Sequence, residues 1–546
     1  MLTQSSVVST LAFLLALFFT GARCVAASGC HTNNSDAPWQ FPASCLKGRE
    51  IPHNTSVLWS PASFAQSGEL SAQSEHAAEL GNTGNRLLTK GDAKGAAEAY
   101  REALKLVPND PKMHYNLSLA LEQLRDAKEE ERELEKCVAL GPSMVDARNQ
   151  LGILYMRDGR LAEAEMQFRA ASDTDPTNAE AQNNLGSLYV RQGKTSEAIA
   201  LFQKAIEDDP KYAKALLNWG IVLASEGNYT EAIRLFQNAI NVSSDYADAY
   251  TALGMAEGKT GQSRKAVQAF TKVLELEPNS SEAHVNLGIA LADEYDLQGA
   301  LAEFSRGVRL NSTSALAHYN KARVLYDMGK REKATAEAET ACRLLPHDTQ
   351  CLYLLGLVER GAGHIAASTA AFNMLVALEP NNASAQFQLG QNLLREGKEG
   401  AAIQHWKAAV ALDPENTEAL YNLARALRKA ADPEAETYMD RFQRLKAKTQ
   451  LSDQVQTLNN FALKAAGDHN WSQAVAQLKE ALQLCGECSQ LPVLHRNLGL
   501  IHAQTGDPED AIRELSITLR LKPNDADARQ AIEILEALQK RKAQSN

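Results

Sequence analysis

Cys485 and Cys488 form the chain's one CxxC, a spacing that serves zinc ligation, dithiol redox chemistry or a short structural bridge. Zinc would need a second CxxC or a histidine pair at matching distance, and neither is present; Ser489 in place of histidine excludes haem attachment. A redox motif is expected beside a strand–helix unit, and this one lies among helical signals, which favours a structural disulfide. Two further local pairs, Cys30 with Cys45 and Cys342 with Cys351, suit the same chemistry, and Cys137 is left as a buried thiol. His114, His284, His318 and His495 share one register position, filled elsewhere by Leu80, Leu216 and Tyr250, so they read as packing residues and not as metal ligands. The sequence contains no Walker-type phosphate loop, no HExxH and no GxSxG. No catalytic constellation, metal site or cofactor is expected, and the formal net charge of −11 argues against a nucleic-acid partner.

These side chains are positioned by a repeat. Residues 77–416 divide into ten units of 34 residues with no insertion or deletion. Position 8 is small throughout: Gly84, Ser118, Gly152, Gly186, Gly220, Gly254, Gly288, Ala322, Gly356 and Gly390. Position 20 is alanine in most units, position 24 is aromatic in eight (Tyr100, Phe168, Phe202, Phe236, Phe270, Phe304, Phe372, Trp406), and position 32 is proline in eight. Small residues let two antiparallel helices approach, the aromatic fills the space between one pair and the next, and the proline ends the second helix.

The period and the small/aromatic/proline signature resemble the tetratricopeptide repeat (TPR) family. The resemblance implies an all-α fold, an α-solenoid of antiparallel helix pairs coiled into a right-handed superhelix. About 12 to 13 repeats and a C-terminal capping helix are expected. The organisation reads as a signal peptide (1–27), a largely irregular leader (28–76), ten in-register repeats (77–416), a degenerate repeat or linker (417–454), two further repeats (455–525) and a capping helix with tail (526–546). Asp432-Pro433 and a charged stretch break the spacing in 417–454, which is either a hinge or a worn repeat that stacks normally.

In that fold the first helix of each unit lines the inner surface, and position 6 there carries Asn82, Asn116, Asn184, Asn218, Asn286, Asn320 and Asn422, with Gln150 and Gln388 as near equivalents. Asparagine is a poor helix former, so its recurrence runs against propensity. Two readings stand: the amides pack between helix pairs, or they clamp the backbone of an extended peptide. The second resembles the asparagine ladder of O-linked N-acetylglucosamine transferases. At position 5, Tyr319, Tyr353, Phe387 and Tyr421 follow one another, with Arg323, Arg360 and Arg425 beside them. Aromatics and arginine anchor interfaces, and the same stripe is also what inter-repeat packing would use.

The apolar run of residues 11–20 (LAFLLALFFT) and the small residues before Ser28 have the length of a signal-peptide core and are too short to span a bilayer. The expected product is therefore exported, periplasmic or extracellular, with no stable membrane span in the mature chain. Nine Asn-x-Ser/Thr triplets matter only with a eukaryotic secretory pathway. The functional expectation is a non-catalytic scaffold that binds extended peptides or partner proteins. The alternative is an accessory or substrate-presenting component of an enzyme system such as a TPR-linked glycosyltransferase; the 20 or so residues after the last repeat are not expected to hold a catalytic domain.

Overall fold

The computed structural model describes residues 68–545, so the expected signal segment, Cys30 and Cys45 lie outside the described residues. Among them are 26 α-helices and no strand, arranged as an all-α solenoid in two compact units, 68–354 and 355–545. The last part of the expected leader is already helical, since α1 runs Gly68–Thr89.

Each repeat is a helix pair built on the same local rules. In the third, α5 (Val145–Arg157) leads through Gly159 at φ +79° into α6 (Leu161–Thr174). That left-handed residue falls at position 15 of every complete unit and lets the chain reverse after one helix ends. Glycine fills it in eight of the ten in-register units, while Arg125 and Tyr295 in the other two, and Ala431 and His469 in later units, adopt positive φ despite their side chains. Many helices begin on side-chain caps; the carboxylate of Asp296, for example, accepts from the Gly299 N–H at 2.9 Å. Proline stands two residues past the second helix, as Pro108 does after α2 (Ala93–Leu106) and Pro176 after α6.

The position-24 aromatics are fully buried, and each ring lies against the position-8 glycine of its own unit. A Cβ on Gly220 would meet Phe236 Cε1 at 2.5 Å, and one on Gly152 would meet Phe168 Cε1 at 2.5 Å. This contact explains the two exceptions. Where position 8 is Ser118 the partner shrinks to Leu134, and where it is Ala322 the partner is Ala338.

At the broken repeat, α21 (Thr417–Lys429) is followed by α22 (Glu434–Gly467), an unbroken helix of 34 residues. The second helix of the eleventh unit thus continues into the first helix of the twelfth without a turn. Then come α23 (Trp471–Cys485), α24 (Leu491–Thr505), α25 (Pro508–Leu521) and the terminal α26 (Ala526–Ser545). Ala528, Ala531 and Leu535 of α26 are buried against Ala511 and Leu515 of α25, which closes the apolar end of the stack.

Candidate functional site

Position 4 carries a recurring polar staple. The His114 Nδ1 lies 2.5 Å from Glu133 Oε2, and its Nε2 lies 3.0 Å from the Pro108 carbonyl of the preceding unit. His284 repeats the pattern with Glu303 and Pro278, and His318 with Glu337 and the Ser312 carbonyl. Gln182 and Gln386 reach the carbonyls of Pro176 and Pro380 in the same way, and His495 pairs with Glu514. His114, His284 and His318 thus each tie the end of one repeat to the second helix of the next. Burial pushes the Glu133 carboxyl up, but hydrogen bonds from His114 and Lys136 outweigh it and hold the group below its ordinary range. The histidines are therefore packing residues with polar partners. Sequence held a signal for this that composition hides: a Glu stands 19 residues after each of these histidines.

The position-6 asparagines are mostly interior. Asn116, Asn184, Asn218, Asn286 and Asn320 are buried, Asn422 is half-buried and Asn82 is exposed. Asn218 Nδ2 donates to Asn183 Oδ1 at 2.8 Å and to Ser187 Oγ at 3.3 Å, both in the preceding unit. Asn116 Nδ2 donates to Asn85 Oδ1 at 3.3 Å, and Asn497 repeats the arrangement by donating to Asn459. Asn320 Nδ2 bonds the Leu316 carbonyl of its own helix. These bonds leave capacity unspent: Asn116 Oδ1, Asn184 Nδ2, Asn286 Nδ2 and Asn320 Oδ1 are buried without a hydrogen-bond partner among the described residues.

The position-5 aromatics divide between the two compact units. In the first, Tyr319 and Tyr353 are half-buried; burial raises the Tyr319 phenol against the opposing pull of Arg323 one turn on. In the second, Phe387 is buried and its carbonyl accepts from Trp406 Nε1 at 3.2 Å, while Arg360 donates to Gln391 at 2.8 Å. Tyr421 is the exposed member, with the Arg425 guanidinium 5.6 Å from its ring centroid.

The cysteines separate by environment. Cys485 and Cys488 are joined as a disulfide. Cys342 and Cys351, which the sequence pairs, are instead unbonded buried thiols with sulfurs 2.8 Å apart. The Cys342 contact and burial both drive the Cys351 thiol far above its ordinary range. Cys137 is buried 3.5 Å from Met144 Sδ, and desolvation pushes it up to about 12, so it is an inert thiol at neutral pH. Among the described residues, three metal-capable donors converge only at His502, Asp507 and Asp510. There Asp507 already caps α25 through the Asp510 N–H. No described helix is long and apolar enough to cross a membrane.

A family model described as tetratricopeptide repeat matches residues 149–213, 183–250, 251–315, 319–383 and 387–448, more than half of the chain. A second, described as TPR repeat, matches residues 84–124. No curated protein matches the chain. Among solved structures, YrrB, a TPR protein with an unusual peptide-binding site, is 27% identical, with 34% of this chain and 95% of that one covered and a TM-score of 0.31. PilF of Pseudomonas aeruginosa is 22% identical over 38% of this chain and 94% of its own, with a TM-score of 0.35. Yeast Tom70 is 16% identical over 86% and 97%, with a TM-score of 0.32.

Proposed function

The chain belongs to the tetratricopeptide repeat family, and from that premise we propose that it is an exported, non-catalytic scaffold that holds an extended peptide or partner segment along the first helices of its units. The observation that carries the binding reading is the recurrence of an amide at position 6 of the first helices, whose exposed and half-buried members Asn82 and Asn422 present donors and acceptors at the surface. A peptide backbone supplies the complementary N–H and C=O groups without any demand on its side chains. Half-buried Tyr319, beside Arg323, and half-buried Tyr353 provide anchors of the residue types that concentrate binding energy. Export is supported by the apolar run at 11–20 and by the Cys485–Cys488 bridge, which suits an oxidising compartment.

The test uses the mature chain as bait in an envelope or secreted fraction, with captured polypeptides identified by mass and their affinity remeasured with purified components. One net hydrogen bond contributes about 0.5–1.5 kcal/mol, so single Asn→Ala changes are expected to be weak and the combined Asn286→Ala, Asn320→Ala, Asn422→Ala variant strong. Tyr353→Ala is expected to cost about 2 kcal/mol of binding with the melting temperature unchanged. Lower thermal stability with unchanged affinity in both variants would show that these residues build the solenoid and bind nothing. Amino-terminal sequencing of protein from its own host is expected to begin near residues 26–30, and a mature start at Met1 would refute export.

A further inference from the structure

Position 5 is normally covered by the stacking of neighbouring units: Tyr115, Leu217, Val285 and Phe387 are buried, and Tyr319 and Tyr353 half-buried. Tyr421, the equivalent in the eleventh unit, is 39% exposed. The cause is the missing turn in α22. Where a chain reversal would return the next unit's first helix onto α21, the helix runs straight on. Residues 443–454, most of them exposed, carry it about 18 Å further along its axis at the usual rise per residue. The interval left open has an aromatic floor flanked by cations. The Tyr421 and Phe442 rings are 5.2 Å apart between centroids. Arg425 stacks on Tyr421 at 5.6 Å and Lys446 on Phe442 at 6.0 Å. Among the described residues no ion pair engages Arg425 or Lys446, although their neighbours Arg428, Lys429 and Lys448 are paired with Glu436, Glu399 and Glu415. Two unneutralised cations on one aromatic pair, in a chain of net charge −11, form a local field opposite in sign to the whole.

We propose that this interval is a docking site for an acidic amphipathic helix of a partner protein, which takes the place of the first helix that α22 fails to return. Apolar residues of the incoming helix would cover Tyr421 and Phe442, and carboxylates one turn apart would meet Arg425 and Lys446. The proposal shares the scaffold reading but uses none of the position-6 amides, so the two are separable by experiment.

The probe is a fluorescein-labelled helix of roughly 20 residues, with leucine on one stripe and glutamate on the rest, compared with its lysine analogue by fluorescence anisotropy against the mature chain. The acidic probe is expected to bind at least tenfold tighter than the basic one. A Tyr421→Ala, Lys446→Glu double variant, checked by circular dichroism for an unchanged fold, is expected to lose at least tenfold, while the Asn286→Ala, Asn320→Ala variant binds as wild type. Equal binding of both probes, or an unaffected double variant, would overturn the proposal. A chain dimer abolished by the double variant, or a tenfold gain on deleting residues 28–67, would overturn it by naming a second copy or the chain's own leader as occupant. Loss of binding in the asparagine variant alone would place the peptide on the amides and remove this site while leaving the scaffold reading intact.

Discussion

Glu257 is a carboxyl at a position built for leucine. It stands at position 11 of the sixth unit, where Leu87, Leu121, Leu223, Leu291, Leu325 and Leu393 stand in others. It is 4% exposed, and its Oε2 has no hydrogen-bond partner among the described residues. The other acid at this position, Glu359, is held by His364 Nδ1 at 2.8 Å. Desolvation pushes the Glu257 carboxyl from 4.5 up to about 7, with Lys265 pulling weakly the other way. At about 1.4 kcal/mol per pH unit, that interval sets a ceiling of about 3 kcal/mol on the cost of its charge. The sign follows from linkage: the group binds its proton more tightly when folded, so its contribution is complete below pH 4.5, falls as the unfolded chain ionises, and is lost by about pH 7. Glu257→Leu removes the titration and restores the register. The stability gained by the substitution should therefore grow by about 2–3 kcal/mol between pH 4.5 and pH 8. Because a solenoid need not unfold as one unit, the measurement is hydrogen exchange of the amides in α11 (Ala247–Lys259) and α12 (Ser263–Leu276). A gain of equal size at both pH values would refute the reasoning, since it would mean that the carboxyl is solvated or paired when folded.

The glycine–aromatic contact predicts a coupled pair. Gly220→Ala should cost about 1–3 kcal/mol through overpacking against Phe236, and Phe236→Leu in the same chain should recover part of it, as the natural Ser118 and Leu134 pair does; a double-mutant cycle in urea denaturation reads the coupling, and strict additivity would contradict the contact. Tyr295 is 86% exposed at φ +62°, in the turn position that glycine fills elsewhere. Tyr295→Gly should therefore stabilise the seventh unit by about 1 kcal/mol, measured as slower exchange in α13 (Ser281–Asp293), and a loss of stability would show that the phenol makes a needed contact.

Much of this protein is written locally. The 34-residue period, the small residue at position 8, the aromatic at 24 and the proline at 32 each act within a few residues or one helix pair, so they specify helix starts, stops and close packing without reference to the rest of the chain. Glycine at position 15 does the same for the turn, and the family follows from that register. Three features needed coordinates because they join residues that sequence alone does not pair. The Asn218 amide spends its hydrogens on Asn183 and Ser187 of the unit before, so whether a position-6 amide faces a ligand or a neighbour depends on how repeats stack. His114 looked like a packing residue, yet it links Glu133 and the Pro108 carbonyl across a repeat boundary. Asp432-Pro433 marked a break, but proline is tolerated at a helix start. Only the continuity of α22 beyond it showed that a turn is missing and that Tyr421 is left uncovered.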